Sequence, residues 1–76
     1  MASDRARRAQ SLTKREREVL VWSSKGMSAR DVGLLLDIAK RTVDEHVQTA
    51  SRKLGAANKT EAVAIAIREH LIDNDA

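Results

Sequence analysis

Residues 28–54, SARDVGLLLDIAKRTVDEHVQTASRKL, decide the fold of this chain. A short segment with apolar residues around Val32 is followed by a break at residues 36–39 and then by a longer segment, residues 40–54. The longer segment repeats apolar residues with the period of an α-helix, and its apolar stripe is only about 60° wide. The residues of this stripe are Val43, Val47, Ala50 and Leu54. A short helix, a tight turn and a longer helix with a mostly polar surface predict a helix-turn-helix.

The segments on either side of this motif carry the signals that begin and end helices. Thr13 with Glu16 three residues later predicts a capping box at the start of a first helix. Either Asn58 or Thr60 begins a fourth helix, which continues to about His70. No segment alternates apolar and polar residues over the length of a strand. The sequence therefore predicts an all-α, four-helix (tetrahelical) helix-turn-helix domain.

The second helix contains a glycine that helical propensity alone does not favour. Gly33 lies beside Val32, Leu35 and Leu36, which the spacing places on one side of the helix. Glycine inside a helix costs up to about 1 kcal/mol relative to alanine. A close approach of another helix at Gly33 would explain the residue, and a tolerated defect explains it nearly as well.

Length and composition exclude several classes of protein. The chain has 76 residues, enough for one domain, and it contains no cysteine, so neither a disulfide framework nor a thiolate metal site is available. Neither an apolar run of about 18 residues nor a signal peptide is present, so we expect a cytoplasmic protein without a membrane partner. The net charge of +3 suits a nucleic-acid binder, although many other domains share it.

Enzymatic chemistry has no visible basis in the sequence. We find no nucleophile with a neighbouring base, no glycine-rich phosphate loop and no acid pair in an evident cleft. His46 has no second histidine or cysteine at the spacing of metal ligands. We therefore expect no enzyme, no cofactor and no metal.

The polar face of the third helix favours contact with nucleic acid. Opposite its apolar stripe lie Arg41, Glu45 and Arg52, flanked by Gln48 and Thr49. Such side chains hydrogen-bond base edges or phosphates, and an α-helix fits the major groove of DNA. Periodicity alone is equally compatible with an ordinary solvated face.

The chain resembles the LuxR-type (NarL/FixJ, quorum-sensing regulator) helix-turn-helix domain over residues 12–72. The resemblance rests on an ordered series of segments at the family's spacing. These are LTKREREVL at 12–20, GMS at 26–28, VGLLL at 32–36, Ile38, TV at 42–43, HV at 46–47, RKLG at 52–55 and EAV at 61–63. It implies the sequence-specific DNA-binding domain of a bacterial transcription regulator, cytoplasmic and nucleoid-associated when bound, with residues 40–54 in the major groove.

The resemblance also implies roles for individual residues. Those expected to contact bases are Asp44, Glu45 and Gln48. Those expected to contact phosphates are Lys40, Arg41, Thr42, Thr49, Arg52 and Lys53. Asp44 and Glu45 depart from the family, in which lysines or neutral groups are frequent at these positions. Because phosphates repel a carboxylate unless it accepts from a cytosine amine or orients an arginine, either the operator contains cytosine at these places or the DNA affinity is weak.

The fourth helix, residues 59–70, resembles the family's dimerisation element. Its apolar arc of about 200° is wider than the roughly 100° that a helix needs to cover its own core, and Ile65 lies outside it. We expect a second subunit to pack on Val63, Ala64 and Ile67. The alternative is that Ala64 and Ile65 are merely exposed.

The expected partners are double-stranded DNA with an inverted-repeat operator of about 16 to 22 base pairs, a second copy of the chain, and RNA polymerase as a further candidate. The alternative function is a protein-interaction module in which Asp44 and Glu45 have weakened or abolished DNA binding. A sigma-factor-like promoter reader shares the helix order, but a full helix after residues 53–55, KLG, favours the LuxR type.

Three segments are expected along the chain. Residues 1–11 form a flexible N-terminal arm or the remnant of a linker, residues 12–72 the domain, and residues 73–76 an acidic C-terminal tail. Most members of the family carry an N-terminal receiver or ligand-binding domain. The start at residues 1–3, MAS, favours the view that such a domain has been removed.

Overall fold

The computed structural model describes residues 11–72, which form four α-helices and, within that range, no strand. The helices are α1 (Lys14–Ser24), α2 (Ala29–Leu36), α3 (Lys40–Leu54) and α4 (Lys59–Arg68). The predicted all-α, four-helix architecture is confirmed. Most of the expected N-terminal arm and the whole expected C-terminal tail lie outside the described residues, so the segment boundaries stay predictions.

Local capping begins the first and last helices as the sequence predicts. The Thr13 hydroxyl accepts from the Glu16 backbone N–H at 3.1 Å, and the Glu16 carboxylate accepts from the Thr13 N–H at 3.0 Å. The Asn58 side chain accepts from the Glu61 N–H at 2.9 Å, so Asn58 rather than Thr60 caps α4. Each bond satisfies a backbone donor that has no partner inside the helix.

The fourth helix ends earlier than predicted. It stops at Arg68, and His70 has a left-handed backbone with φ of 58°. The chain then folds back, and the N–H groups of Leu71 and Ile72 both donate to the Ala66 carbonyl. This reversal of the chain buries Ile72 in the core. The helical periodicity of the preceding residues does not predict this contact.

Two groups of buried side chains make the core, and α3 contributes to both. The first group lies mainly among α1, α3 and α4, and the second among α1, α2 and α3. The first comprises Leu12, Leu20, Ala50, Leu54, Ala62, Ile65, Ala66 and Ile72, and the second Val19, Val32 and Val43 with partly buried neighbours. The predicted stripe of α3 thus faces inward along its whole length and fixes which side of α3 faces outward.

The second helix buries less than the sequence predicts. Val32 is fully buried and Leu36 is half-buried, but Leu35 is 50% exposed and Leu34 is 74% exposed. Leu35, which the spacing places on the same side of the helix as Val32 and Leu36, is therefore only partly covered by the core. The helix has only eight residues, and its inward side is occupied by Val32 and Gly33.

The turn between α2 and α3 explains Gly33. A Cβ atom on Gly33 would lie 2.7 Å from the Ile38 carbonyl oxygen, and the Ile38 N–H donates to the Gly33 carbonyl at 2.9 Å. The closest atom belongs to the turn, and the backbone nitrogen of Lys40, the first residue of α3, lies next at 3.4 Å. The predicted close approach at Gly33 is therefore made by the turn together with the start of α3. Asp37 reverses the chain in a left-handed conformation with φ of 59°.

Candidate nucleic-acid interface

The outward side of α3 collects the side chains that the sequence predicts for DNA contact. Because the apolar stripe faces the core, the opposite side of the helix faces solvent over about four turns. The exposed residues are Lys40, Arg41, Asp44, Glu45, Gln48 and Arg52, and the half-buried ones are Thr42, Thr49 and Lys53. The structure therefore brings all three predicted base contacts and most of the predicted phosphate contacts onto one open face.

An ion pair on this face changes the electrostatic environment of Asp44. The Lys40 ammonium donates to the Asp44 carboxylate at 2.8 Å, one helical turn away. Such an exposed pair adds only about 0.3 to 0.5 kcal/mol to helix stability. Its larger consequence is local, because the cation offsets the carboxylate charge next to the region where phosphates would lie. Glu45 has no ion-pair partner among residues 11–72.

Lys53 has intramolecular partners that the sequence does not reveal. Its ammonium donates to the Glu16 carboxylate at 2.8 Å and to the Ser11 carbonyl at 2.6 Å. The neighbouring Arg52 is exposed and has no ion-pair partner within the described part of the chain. Two adjacent basic residues with the same predicted role therefore occupy different environments, one turned to the body of the domain and one to solvent.

Glu16, which the sequence identifies only as part of a capping box, also has a long-range partner. Its side chain is 6% exposed. Burial alone would raise the pKa of Glu16, but hydrogen bonds from Lys53 and the Thr13 backbone, with the positive charges of Lys53 and His46, lower it below its ordinary value of 4.5. Glu16 is thus a buried carboxylate that is ionised at neutral pH. A residue 37 positions away cannot be identified as its partner from local spacing.

The apolar surface of α4 differs from the predicted arc. Ile65, predicted to lie outside the arc, is buried with Ala62 and Ala66, because the core side of α4 is centred between these residues. The alternative of an exposed Ile65 is therefore wrong. Val63 and Ile67 are half-buried against the core and Ala64 is exposed, so these three residues form the outer edge of the apolar surface.

Two further kinds of feature are absent from residues 11–72. No helix in this range is long and apolar enough to cross a membrane. No group of three or more His, Asp or Glu side chains there has the proximity needed to hold a metal ion.

Comparison with known proteins decides the family. Residues 10–66 match the family described as bacterial regulatory proteins, luxR family. The chain belongs to this family. The predicted resemblance is therefore confirmed over most of the range proposed for it, and the chain is a luxR-family helix-turn-helix DNA-binding domain of the kind found in transcriptional regulators.

Several luxR-family relatives are similar in sequence or structure. The transcriptional activator protein BjaR1 of Bradyrhizobium diazoefficiens is 56% identical over 62 residues, which cover 82% of this chain and 26% of that protein. The quorum sensing-dependent transcriptional regulator RpaR of Rhodopseudomonas palustris is 48% identical over 61 residues, or 80% of this chain and 25% of RpaR. The chain thus spans about a quarter of the length of the curated relatives it matches.

The solved structure of the transcription factor GerE has the same fold. Its TM-score is 0.79 at 30% identity, with 84% of this chain and 96% of that chain covered. The relatives are regulators of transcription, which confirms that the luxR-family domain is not an enzyme.

The start of α3 lacks the side-chain cap that the other three helices have. Ala39 occupies the N-cap position with φ of −67° and ψ of 149°, and it supplies no side-chain hydrogen bond. We expect Ala39→Ser to raise the free energy of unfolding by about 1 kcal/mol, because a serine Oγ accepts from the N–H of Arg41 or Thr42. Urea unfolding followed by circular dichroism measures the change.

A matched serine outside a cap is the control. Ala57→Ser, in the exposed connection before α4, should change stability by less than about 0.5 kcal/mol. Equal effects of the two substitutions would contradict the capping explanation.

Proposed function

We propose that this chain binds an inverted-repeat operator as a homodimer, reading bases in the major groove with α3. One observation carries the proposal: the apolar stripe of α3 is fixed in both groups of core residues, while its predicted DNA contacts share the opposite, open face. A rigid helix with a polar outer face suits the major groove, which is wide enough to admit one helix.

Asp44, Glu45 and Gln48 are the proposed base contacts. A carboxylate accepts from the exocyclic amine of cytosine, and a glutamine pairs with adenine through two hydrogen bonds. The Lys40 partner of Asp44 supports this role, because it reduces the repulsion that a carboxylate meets near phosphates. The acidic residues are therefore proposed to select cytosine and not to prevent binding.

Phosphate contacts are proposed for the exposed cations and the hydroxyls beside them. Arg41 and Arg52 are exposed near opposite ends of α3, and Lys40 lies in its first turn. Thr42 and Thr49 are half-buried at one border of the open face and offer neutral donors. Contacts of this kind fix the position of the helix and carry no base preference.

A second copy is proposed to pack on Val63, Ala64 and Ile67 of α4. Ala64 is exposed and allows a close approach of another helix, and the half-buried Val63 and Ile67 extend the apolar surface from Ala64 toward the core. Two copies related by a twofold axis present two α3 helices to half-sites about one DNA turn apart. Binding to a genomic operator places the protein in the bacterial cytoplasm, at the nucleoid.

RNA polymerase stays a candidate partner of the bound regulator. The exposed Leu34 and Leu35 of α2 are large apolar side chains that a protein contact would cover. The same two leucines support the alternative function, a protein-interaction module without DNA binding.

Selection of bound duplexes from a random DNA pool tests the proposal. The expected product is an inverted repeat with cytosine at one position that depends on Glu45. For Glu45→Ala we expect loss of discrimination at that position by about 1 to 3 kcal/mol. Glu18→Ala, which removes the same charge from α1, should leave the preference unchanged.

Three results would contradict parts of the proposal. Recovery of single half-sites would argue against the homodimer. An unchanged preference for Glu45→Ala would exclude Glu45 as a base contact. No duplex binding at micromolar protein and low salt would favour the protein-interaction module.

A further inference from the structure

One long-range ion pair connects α3, the helix proposed to read DNA, to the start of the domain. Lys53, in the last turn of α3, donates to Glu16 at the start of α1 and to the carbonyl of Ser11 just before it. Leu12 and Leu54, next to these residues in the chain, are buried in the same group of core side chains. The C-terminal end of α3 is thus held to the N-terminal end of α1 by polar and apolar contacts together.

The Glu16 carboxylate depends on this arrangement. It is almost fully buried, and within the described residues its one ion-pair partner is Lys53. A buried carboxylate without its cation keeps the cost of desolvation and loses the compensating attraction. If Lys53 turned outward to a DNA phosphate, the buried Glu16 carboxylate would therefore lose its ion-pair partner and keep the weaker support of the Thr13 N–H.

The donors of Lys53 are also largely occupied. An ammonium group has three N–H donors, and two of them are directed to Glu16 and Ser11. Arg52 differs on each point, since it is exposed and has no such partner among residues 11–72. Of the two adjacent cations, only Arg52 is positioned to reach the DNA backbone.

We infer that Glu16 and Lys53 are a positioning pair, which fixes the C-terminal end of the DNA-reading helix against α1, and that Lys53 is not a phosphate contact. The inference rests on the proposed function of α3. It assigns to Glu16 a role in DNA recognition although Glu16 lies on another helix, and it removes Lys53 from the predicted set of phosphate contacts.

The salt dependence of binding separates a positioning residue from a phosphate contact. The Kd for the selected operator and for a duplex of unrelated sequence is measured from 50 to 300 mM salt. The variants are Arg52→Met, Lys53→Met, Glu16→Gln and Lys53→Arg, each kept under conditions where circular dichroism shows more than about 95% folded protein. A purely stabilising role would not alter the affinity of the folded fraction.

The expected results differ for the two cations. Arg52→Met should reduce the steepness of the negative slope of log K against log salt by about 0.9 per subunit and weaken binding to both duplexes alike. Lys53→Met and Glu16→Gln should leave the slope unchanged and weaken operator binding about tenfold or more, equivalent to the loss of one base contact. Lys53→Arg keeps the charge and the donors, so it should retain most of the operator affinity of the unmodified protein.

Other outcomes would overturn the inference. A slope for Lys53→Met that falls as it does for Arg52→Met, with Glu16→Gln binding normally, would make Lys53 a phosphate contact. If Lys53→Met does not fold, Lys53→Gln gives the same discrimination, since it removes the cation and keeps a donor for Glu16. Failure of the unmodified protein to bind any duplex would overturn the proposed function, and the inference with it.

Discussion

Gly33→Ala is expected to lower the free energy of unfolding by about 2 kcal/mol, although alanine favours helices. The new Cβ would lie 2.7 Å from the Ile38 carbonyl oxygen and 3.4 Å from the Lys40 backbone nitrogen. Both neighbours are backbone atoms, one in the turn and one at the start of α3, and they cannot rotate away as a side chain can. Overpacking of this kind costs about 1 to 3 kcal/mol or more, which outweighs the gain of up to about 1 kcal/mol in helical propensity.

This loss is large for so small a domain. A chain of 76 residues has a total stability of about 4 to 11 kcal/mol. Each kcal/mol corresponds to a shift of about 4 to 8 °C in the unfolding temperature at this size. Thermal unfolding followed by circular dichroism should therefore show a decrease of about 10 °C or more for Gly33→Ala.

Gly55→Ala distinguishes steric contact from backbone strain. Gly55 has φ of 69°, and an added Cβ would meet nothing within 4 Å. The expected loss there is about 1 kcal/mol, from the left-handed conformation alone. If Gly33→Ala proved as stable as the unmodified protein, Gly33 would be a tolerated defect, as the second interpretation of the sequence allows.

DNA affinity is expected to fall about 2,000-fold between 50 and 200 mM salt. Three cations are proposed to meet phosphates in each subunit: Lys40, Arg41 and Arg52. Six such contacts in a dimer give a slope of about −5.4 in log K against log salt. Fluorescence anisotropy with a labelled operator measures this slope directly.

Arg17→Ala is the control for this measurement. Arg17 is exposed on α1 and is not among the proposed contacts, so its removal should leave the slope unchanged. A slope near zero for the unmodified protein would contradict phosphate contact by α3. A slope steeper by about 1.8 would indicate that Lys53 also contacts phosphate in both subunits.

Features governed by near neighbours in the chain could be predicted from the sequence. The capping box of Thr13 and Glu16 needs residues three apart, and the stripe of α3 needs only the helical period. The outward residues of α3 follow from that stripe, so the sequence alone predicts the candidate interface. The Lys40–Asp44 pair has the spacing of a helical salt bridge and could have been found in the same way.

Features governed by tertiary packing could not be predicted. Periodicity shows which residues of α4 share a side but not where the centre of the core lies, and for this reason the predicted position of Ile65 is wrong. The partner of Glu16 is Lys53, 37 positions away in the chain, and the atom closest to Gly33 is a backbone oxygen of the turn. Neither contact has a signature in the local sequence. The early end of α4 depends on the burial of Ile72, which also requires the complete fold.

The participation of α3 in both groups of core residues has a consequence for dynamics. Neither half of the core can be complete while α3 is detached, since each half requires side chains from this helix. The backbone amides of Val43, Ala50 and Leu54 are therefore expected to exchange hydrogen only through global opening of the molecule. The surface offered to DNA then exists as a whole or not at all, and a substitution that weakens either half of the core lowers the fraction of molecules that present it.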